Sequence, residues 1–170
     1  MDPNAICLLI NGKVKDWRGL GRLERAELAS CVGSRVGQGT ARFRLMLLAV
    51  DTYRVPPGET EVQVYSSING ELIELVDVKP SPAPAAGRLL GELGAPAAMH
   101  VYSLEECAAA NLRVPVGGSI KEAIYSNNGL AIAVVREPSG EAVVARIRGF
   151  EPMPAQHYLD EYVRFDAEAL

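Results

Sequence analysis

The dipeptide Asn-Gly occurs three times in this chain, at Asn11-Gly12, Asn69-Gly70 and Asn128-Gly129. A two-residue type I′ turn needs positive φ at both central positions, so Asn-Gly between alternating apolar residues is a strong signal for a β-hairpin. The first dipeptide would join strands at 5–10 and 13–17, although the second of these is short and polar. The other two lie between longer segments rich in β-forming residues and predict antiparallel sheet.

Two segments around these turns predict β-meanders. Residues 41–79 form the first, a three-stranded meander whose first strand covers 41–55, with turns at Pro56-Pro57-Gly58 and at the second Asn-Gly. Residues 120–148 form the second, with strands at 120–126, 130–136 and 141–148 and turns at the third Asn-Gly and at Pro138-Ser139-Gly140. The fold class predicted is therefore α+β, with two mostly antiparallel meanders and two or three covering helices.

The last predicted strand, residues 141–148, alternates in a way that assigns its side chains to two faces. Val143, Ala145 and Ile147 would share one face, and Val144, Arg146 and Arg148 the other. Strict alternation thus predicts an outer face that is wet towards its end. Arg146 and Arg148 could equally belong to an interface, where arginine is enriched.

Helical patterns occupy the segments between the predicted strands. Leu20 to Val36 carries apolar residues in one arc and would end at Gly37 and Gly39. Three further helices are indicated: a short one at 85–93, one at 103–111 that begins with a capping box formed by Ser103 and Glu106, and a C-terminal one from Pro154 that buries Tyr158, Leu159 and Tyr162.

The chain of 170 residues suits one globular domain, 1–170. A Pro/Ala-rich connector at 80–95 suggests two sub-units, 1–80 and 96–170. Tyr65-Ser66 through Lys79-Pro80 aligns with Tyr125-Ser126 through Glu137-Pro138 if two single-residue gaps are allowed. Either a duplication or shared turn chemistry explains this similarity.

Composition and cysteine spacing bear on the compartment. The hydrophobic content of 48% and charged content of 22% are ordinary for a globular protein. Cys7, Cys31 and Cys107 are odd in number and widely spaced, which favours buried reduced thiols over a disulfide framework. The N-terminus lacks the pattern of a signal peptide, and no apolar run approaches the length of a membrane span. A cytoplasmic protein with no membrane partner is expected.

Charge is uneven along the sequence, whose formal net charge is −4. Residues 1–55 hold nine Lys/Arg against five Asp/Glu, and residues 56–170 hold eight against sixteen. Such polarity is compatible with a basic patch for an anionic partner, or with two surfaces that attract each other between copies. Charges scattered over the folded surface would give the same count.

The densest group of reactive side chains lies at residues 100–107. A nucleophilic pair of Cys107 and His100 would require the thiolate to lie within hydrogen-bond reach of the imidazole. Cys107 is followed by three alanines, which equally suits the buried side of a small helix.

A second candidate pair, His157 and Glu161, is spaced one helical turn apart and could hold two positions of a metal ion. A closed site needs three or four ligands, so an ordinary polar helix surface explains the pair as well. No cofactor-binding fingerprint occurs in the sequence, and no cofactor is predicted.

The basic N-terminal segment is the candidate nucleic-acid surface. It combines phosphate-seeking charge with one aromatic ring that could stack on a base, and its residues are Lys13, Lys15, Trp17, Arg18, Arg22 and Arg25. Glu24 and Glu27 interrupt the run, as on a solvated helix.

Three functions follow from these features. The favoured hypothesis is a non-enzymatic protein-interaction or assembly module, either a homo-oligomer or a small subunit of a larger complex, because catalytic residue types are scarce. The alternatives are a small intracellular hydrolase or transferase with a site near residues 100–107, and a nucleic-acid-binding protein that uses the basic N-terminal segment.

Overall fold

The computed structural model describes residues 5–23, 32–43, 46–56, 58–68 and 72–163. The strands are β1 Ser34–Arg42, β2 Leu47–Val55, β3 Thr60–Ser67, β4 Ile73–Lys79, β5 Ala98–Val101, β6 Ser119–Tyr125, β7 Leu130–Arg136 and β8 Ala142–Phe150. The α-helices are α1 Ala5–Ile10, α2 Ala86–Leu93, α3 Leu104–Ala109 and α4 Ala155–Tyr158.

All eight strands form one antiparallel sheet in the order β1-β2-β3-β4-β8-β7-β6-β5. The pairing of β4 with β8 joins the strands before the Pro/Ala-rich connector to those after it. The protein is therefore an α+β fold dominated by antiparallel sheet, with β1 and β5 at its two edges.

The sheet separates two hydrophobic clusters. One face, called here the Trp17 face, packs against α1 and α2 and contains Trp17, Leu9 and Leu89 among its fully buried side chains. The opposite face, the Phe150 face, packs against α3 and α4 and contains Phe150 and Tyr158. Helices thus lie on both faces of the sheet.

The predicted strands at 120–126, 130–136 and 141–148 coincide with β6, β7 and β8 to within two residues. The prediction of one strand over 41–55 is wrong, because the chain turns at Phe43 and Met46, which exchange backbone hydrogen bonds. The residues before this turn form β1, whose first three residues, 34–36, fall in the predicted helix and whose last two, 41–42, fall in the predicted strand. The four-residue edge strand β5 was not predicted.

The three Asn-Gly dipeptides have different outcomes. Asn11-Gly12 ends helix α1 instead of joining two strands: Gly12 has φ +71° and donates to Leu9, and Lys13 N donates to Leu8, as in a Schellman motif. Asn69-Gly70 lies outside the described residues. Asn128-Gly129 does connect two strands, but it ends a four-residue loop whose first three residues form a 3₁₀ turn.

The predicted helix over Leu20–Val36 is wrong at both ends. Arg22 has φ +63°, a left-handed conformation that no α-helix accommodates, and Ser34–Val36 begin β1. Residues 24–31 lie outside the described residues. The capping box of Ser103 and Glu106 is confirmed at the start of α3.

The C-terminal helix begins after Pro154 as predicted and buries Tyr158 and Tyr162, while Leu159 is half-buried. It continues as a π-helical turn at Leu159–Val163.

The similarity between residues 65–80 and 125–138 does not follow the symmetry of the sheet. It equates the β3–β4 turn with the β6–β7 turn. The strand order instead places four consecutive strands on each side of the junction between β4 and β8, so that β3–β4 corresponds to β7–β8. The matching residues are therefore better explained by shared turn chemistry.

Cys7 forms a disulfide bond, so the prediction of reduced thiols is wrong for this residue, whereas Cys107 is free and buried. Cys31 lies outside the described residues. Because disulfides persist mainly in oxidising compartments, one ground for the cytoplasmic expectation is removed, and that expectation stays a prediction. Among the helices in the described ranges, none combines the length and apolar character needed to cross a bilayer.

Candidate functional site

Four charged side chains are buried on the Phe150 face of the sheet. They are Asp77, Glu122, Arg146 and Arg148, and none is more than 2% exposed. Buried charges are rare in proteins unless they are paired. Together with Tyr102 and Tyr158 they form what is called here the buried polar cluster.

A β-bulge brings the two arginines into this cluster. Strand β7 pairs Ala133 with Arg146 and Val134 with Val144, which leaves Ala145 as an extra residue in β8. The bulge resets the alternation, so Arg146 and Arg148 point into the Phe150 face. The predicted wet face is therefore wrong: these side chains are 1% and 2% exposed.

Sheet register supplies each arginine with a carboxylate. Asp77 lies directly opposite Arg148 in the β4/β8 pair. Arg148 donates to Asp77 through Nε, at 2.7 Å, and through a terminal nitrogen, at 2.9 Å, which is a bidentate geometry. Its other terminal nitrogen lies 3.4 Å from both the Tyr158 hydroxyl and the Tyr162 carbonyl oxygen.

Glu122 and Arg146 meet across the small side chain of Ala133, which pairs with both of them. Arg146 donates to Glu122 at 2.6 Å and to the Tyr102 hydroxyl at 2.9 Å. Glu122 also accepts from the hydroxyls of Tyr158, at 2.9 Å, and Tyr102, at 3.2 Å. Arg146 Nε has no hydrogen-bond partner among the described residues.

The pKa values of Asp77 and Tyr158 show that the cluster stabilises an ionised aspartate and a protonated tyrosine. Burial raises the pKa of Asp77, but the charges of Arg148 and Arg146 outweigh it, and the pKa lies below its ordinary value. Burial and Glu122 raise the pKa of Tyr158 well above its ordinary value. Because every member is less than a tenth exposed, the cluster holds sheet and helices together and offers no surface to a substrate.

The structure brings His100 to Glu106, not to Cys107. His100 Nε2 lies 2.9 Å from Glu106 Oε2, and the ring packs edge-on against Tyr102. Cys107 is 3% exposed within the Phe150 face, and burial together with Glu106 raises the pKa of its thiol. A buried thiol with a raised pKa lacks the thiolate that nucleophilic catalysis requires.

His157 and Glu161 lie in different surroundings: the histidine is exposed, and the glutamate is buried at 9% exposure. Within the described ranges, no three His, Cys, Asp or Glu side chains are grouped so that they could hold a metal ion.

The described lysines and arginines of the candidate nucleic-acid surface lie outside the core, whereas its aromatic residue, Trp17, lies within it. Lys13, Lys15, Arg18 and Arg22 are exposed, and Arg25 lies outside the described residues. Trp17 is 1% exposed and donates Nε1–H to the Gly129 carbonyl oxygen at 2.8 Å. Its ring is therefore part of the core and is not presented for stacking on a base.

Strand β1 is an open edge of the sheet. Every one of its nine residues is exposed except Ala41, which is half-buried. A Cβ atom added at Gly39 would meet nothing within 4 Å, and at Gly37 only Thr52 at 3.9 Å. The fold itself therefore does not require glycine at either position.

An open pocket of about 760 Å³ lies on the Phe150 face, where β4 ends and β8 begins. Its walls are largely apolar side chains of β7, β8 and the loop after α3. Two cationic side chains, Lys79 and Arg113, also line it, and Glu137 is the one acidic side chain in the lining.

Comparison of the chain with protein-family models, with curated proteins and with solved structures finds no match in any of the three. The functional proposals below therefore depend on the geometry alone.

Sequence reasoning missed Asp77, Glu122 and Lys79. Lys79 ends its strand and Glu122 follows the exposed Lys121, whereas Asp77 lies between the buried apolar residues Val76 and Val78. That pattern is the available signal, because a charge flanked by buried residues on both sides needs a buried partner. The identity of the partner depends on strand order, which the sequence does not reveal.

Proposed function

We propose that this protein is a non-enzymatic interaction module that binds an extended segment of another protein along strand β1. The supporting observation is the exposure of β1, a nine-residue edge strand. Edge strands present a row of unpaired backbone donors and acceptors, and natural proteins usually protect them with charges, proline or a short length. Residues 37–41 of β1 contain neither charge nor proline.

Strand addition of this kind obtains affinity from backbone hydrogen bonds and specificity from side-chain contacts. Three of the five residues at 37–41 of β1 are glycine or alanine, and shallow grooves lie on both faces of the strand. The groove on the Phe150 face is lined by Gly37, Gly39, Val50, Thr52 and Tyr65, among others. Glycine in a strand allows close approach by another backbone or by large side chains.

The charges at the ends of β1 favour an acidic partner. A bulge between Arg35 and Gly37 places Arg35 opposite Tyr53 and Arg42 opposite Leu47, so both arginines lie on the same face. Arg35 is also paired with Asp51 at 3.6 Å and remains half exposed, whereas Arg42 is exposed. An extended segment with carboxylates near both ends would complement this edge.

The same charges disfavour pairing of β1 with a second copy of itself. If β1 paired with a second β1 in antiparallel orientation over its full length, Arg35 of each copy would lie next to Arg42 of the other. Like charges at neighbouring positions of adjacent strands are destabilising. A different protein is therefore the favoured occupant.

The proposal is tested with synthetic peptides of the length of β1, built from alternating valine and threonine and ended by glutamate or by lysine. Hydrogen exchange of the β1 backbone amides is the measurement. Glutamate-ended peptides should slow exchange across 34–42, and lysine-ended ones should not. The variant Gly39→Lys, which places a charge on the edge, should abolish the protection.

Gly91→Lys is the matched control, because Gly91 is an exposed glycine of α2 with equally open space around its Cβ position. It should leave peptide protection unchanged. Protection by no peptide in the panel would contradict the proposal. A concentration-dependent dimer in sedimentation equilibrium that Gly39→Lys dissociates would instead assign the edge to a second copy.

A further inference from the structure

The pocket at the end of β4 is independent of the β1 edge and has the character of a small-molecule site. Ligand pockets of proteins commonly have volumes of roughly 300–1,000 Å³, mostly apolar walls and a few polar groups that fix orientation. The pocket here has a volume of about 760 Å³. Its apolar lining includes Leu112, Val114, Val135 and Val143.

The β8 bulge helps to shape this pocket. Val143 and the extra residue Ala145 both pack on the Phe150 face, on either side of Val144. Ala145 has only a methyl side chain. The loop after α3 contributes Pro115 to the lining, and its ring fixes the backbone φ at that point.

Two cations lie in this apolar setting. Lys79 is half-buried at the end of β4, and Arg113 is exposed in the loop. Among the described residues, neither side chain takes part in a salt bridge or a hydrogen bond. Glu137 also lines the pocket, but it is exposed and forms no ion pair with either cation.

The lowered pKa of Lys79 also indicates that an anion would be favourable beside it. Burial lowers the pKa of its ammonium group, and the positive charges of Arg146 and Arg148 lower it further, against the opposing effects of Asp77 and Glu61. A partly desolvated cation that forms no salt bridge is a favourable position for an anion, because the anion would offset both the burial and the nearby arginine charges.

We propose that this pocket binds a small carboxylate with an apolar body, whose carboxylate lies against Lys79 and Arg113 while its body covers Val135, Val143 and Leu112. The apolar body is favoured over a bare anion such as phosphate because most of the lining is hydrocarbon. A single carboxylate is favoured over a polyanion because Glu137 leaves little excess positive charge.

The test uses octanoate as the probe, with neutral 1-octanol and cationic octylamine as comparisons, and follows binding by two-dimensional NMR and calorimetry. Octanoate should shift the amide resonances of residues 111–114 and 143–145. The substitution Lys79→Met, which keeps the side-chain length, should weaken octanoate binding by about tenfold or more, as expected when a hydrogen bond to a charged group is lost.

Lys121→Met is the matched control, because Lys121 is an exposed lysine of β6 that does not line the pocket. It should leave the affinity unchanged. Arg113→Gln, in an exposed loop position, should also weaken binding and keeps the test decisive if Lys79→Met impairs folding. The proposal is overturned if octanol binds as tightly as octanoate, or if octanoate shifts no resonance at the pocket.

Discussion

Arg148 donates two hydrogen bonds to Asp77, of 2.7 and 2.9 Å, at the strand pair that joins the two halves of the sheet. Both side chains are buried. Strands β4 and β8 pair over four positions, so the contact between them is short. The ion pair therefore lies where the strands before the connector meet the strands after it. The Asp77–Arg148 ion pair therefore stabilises the strand pair on which the continuity of the eight-stranded sheet depends.

Replacement of Asp77 by asparagine is expected to lower the free energy of unfolding by about 3 kcal/mol or more, because it leaves the buried Arg148 charge uncompensated. The shape of the side chain is kept, so the loss reports charge and not packing. Urea unfolding followed by circular dichroism measures it.

The control for this prediction is Arg35→Gln, which removes a 3.6 Å pair whose arginine is half exposed although Asp51 is buried, and it should cost less than Asp77→Asn. The double variant Asp77→Leu, Arg148→Met should be less destabilised than the sum of its single changes, since no lone charge remains buried. Equal losses for Asp77→Asn and Arg35→Gln would show that the buried pair is not a major contributor.

The Asp77–Arg148 ion pair was hard to predict from the sequence because of the bulge in β8. Strict alternation in β8 assigns Arg146 and Arg148 to the face opposite Val143, and only the extra residue Ala145 reverses that assignment. A bulge of this kind is decided by contacts with β7, which are long-range. The strands themselves were predictable because alternation and turn residues are local properties.

Buried tyrosines predict a loss of stability in alkali. Burial is the main cause that raises the pKa of Tyr65, Tyr102 and Tyr158 above the ordinary value, and it raises that of Tyr162 to about 12. An unfolded chain ionises its tyrosines near pH 10, whereas the folded protein keeps these protons. Above about pH 10 the unfolded state binds fewer protons than the folded state, so stability falls as pH rises.

Absorbance at 295 nm during a pH titration measures this effect. Most of the phenolate signal should appear together with the loss of circular dichroism, as the chain unfolds. Tyr65→Phe removes one buried phenol and should reduce the slope of unfolding free energy against pH above about 10. Complete ionisation near pH 10 with the fold intact would contradict the burial of these hydroxyls.

Cys107 is expected to react with iodoacetamide more slowly than free cysteine at neutral pH, because the thiol is buried and its pKa is raised. Peptide mass spectrometry distinguishes this residue from the other cysteines. Labelling in denaturant serves as the control and should be fast. Labelling of the folded protein at the rate of free cysteine, or faster, would restore the hypothesis of an enzyme site at residues 100–107.

The Asn-Gly signal shows where local reasoning succeeds and where it ends. At Gly12 and Gly129 the dipeptide does mark a left-handed glycine, which is a property of the residue itself. Whether that glycine ends a helix or connects two strands depends on the preceding segment. Residues 5–10, Ala-Ile-Cys-Leu-Leu-Ile, have no polar alternation to exclude a helix, and α1 packs on the Trp17 face through Ile6 and Leu9.

Gly149 is the position at which a single methyl group should do most harm to the Trp17 face. A Cβ atom there would lie 2.7 Å from the Trp17 ring and 2.6 Å from a Leu9 methyl carbon, closer than packed atoms allow. Gly149→Ala should therefore destabilise the protein by about 1–3 kcal/mol, the usual cost of overpacking.

Gly91→Ala provides the matched comparison, because the same methyl group at this exposed position of α2 meets nothing within 4 Å. It should stabilise the protein by about 0.5–1 kcal/mol, since alanine loses less conformational freedom than glycine in a helix. Thermal unfolding of the two variants side by side measures the opposite signs. If Gly149→Ala were as stable as the natural protein, Trp17 could not be packed against β8 as described, and its indole could not be fixed on the Gly129 carbonyl.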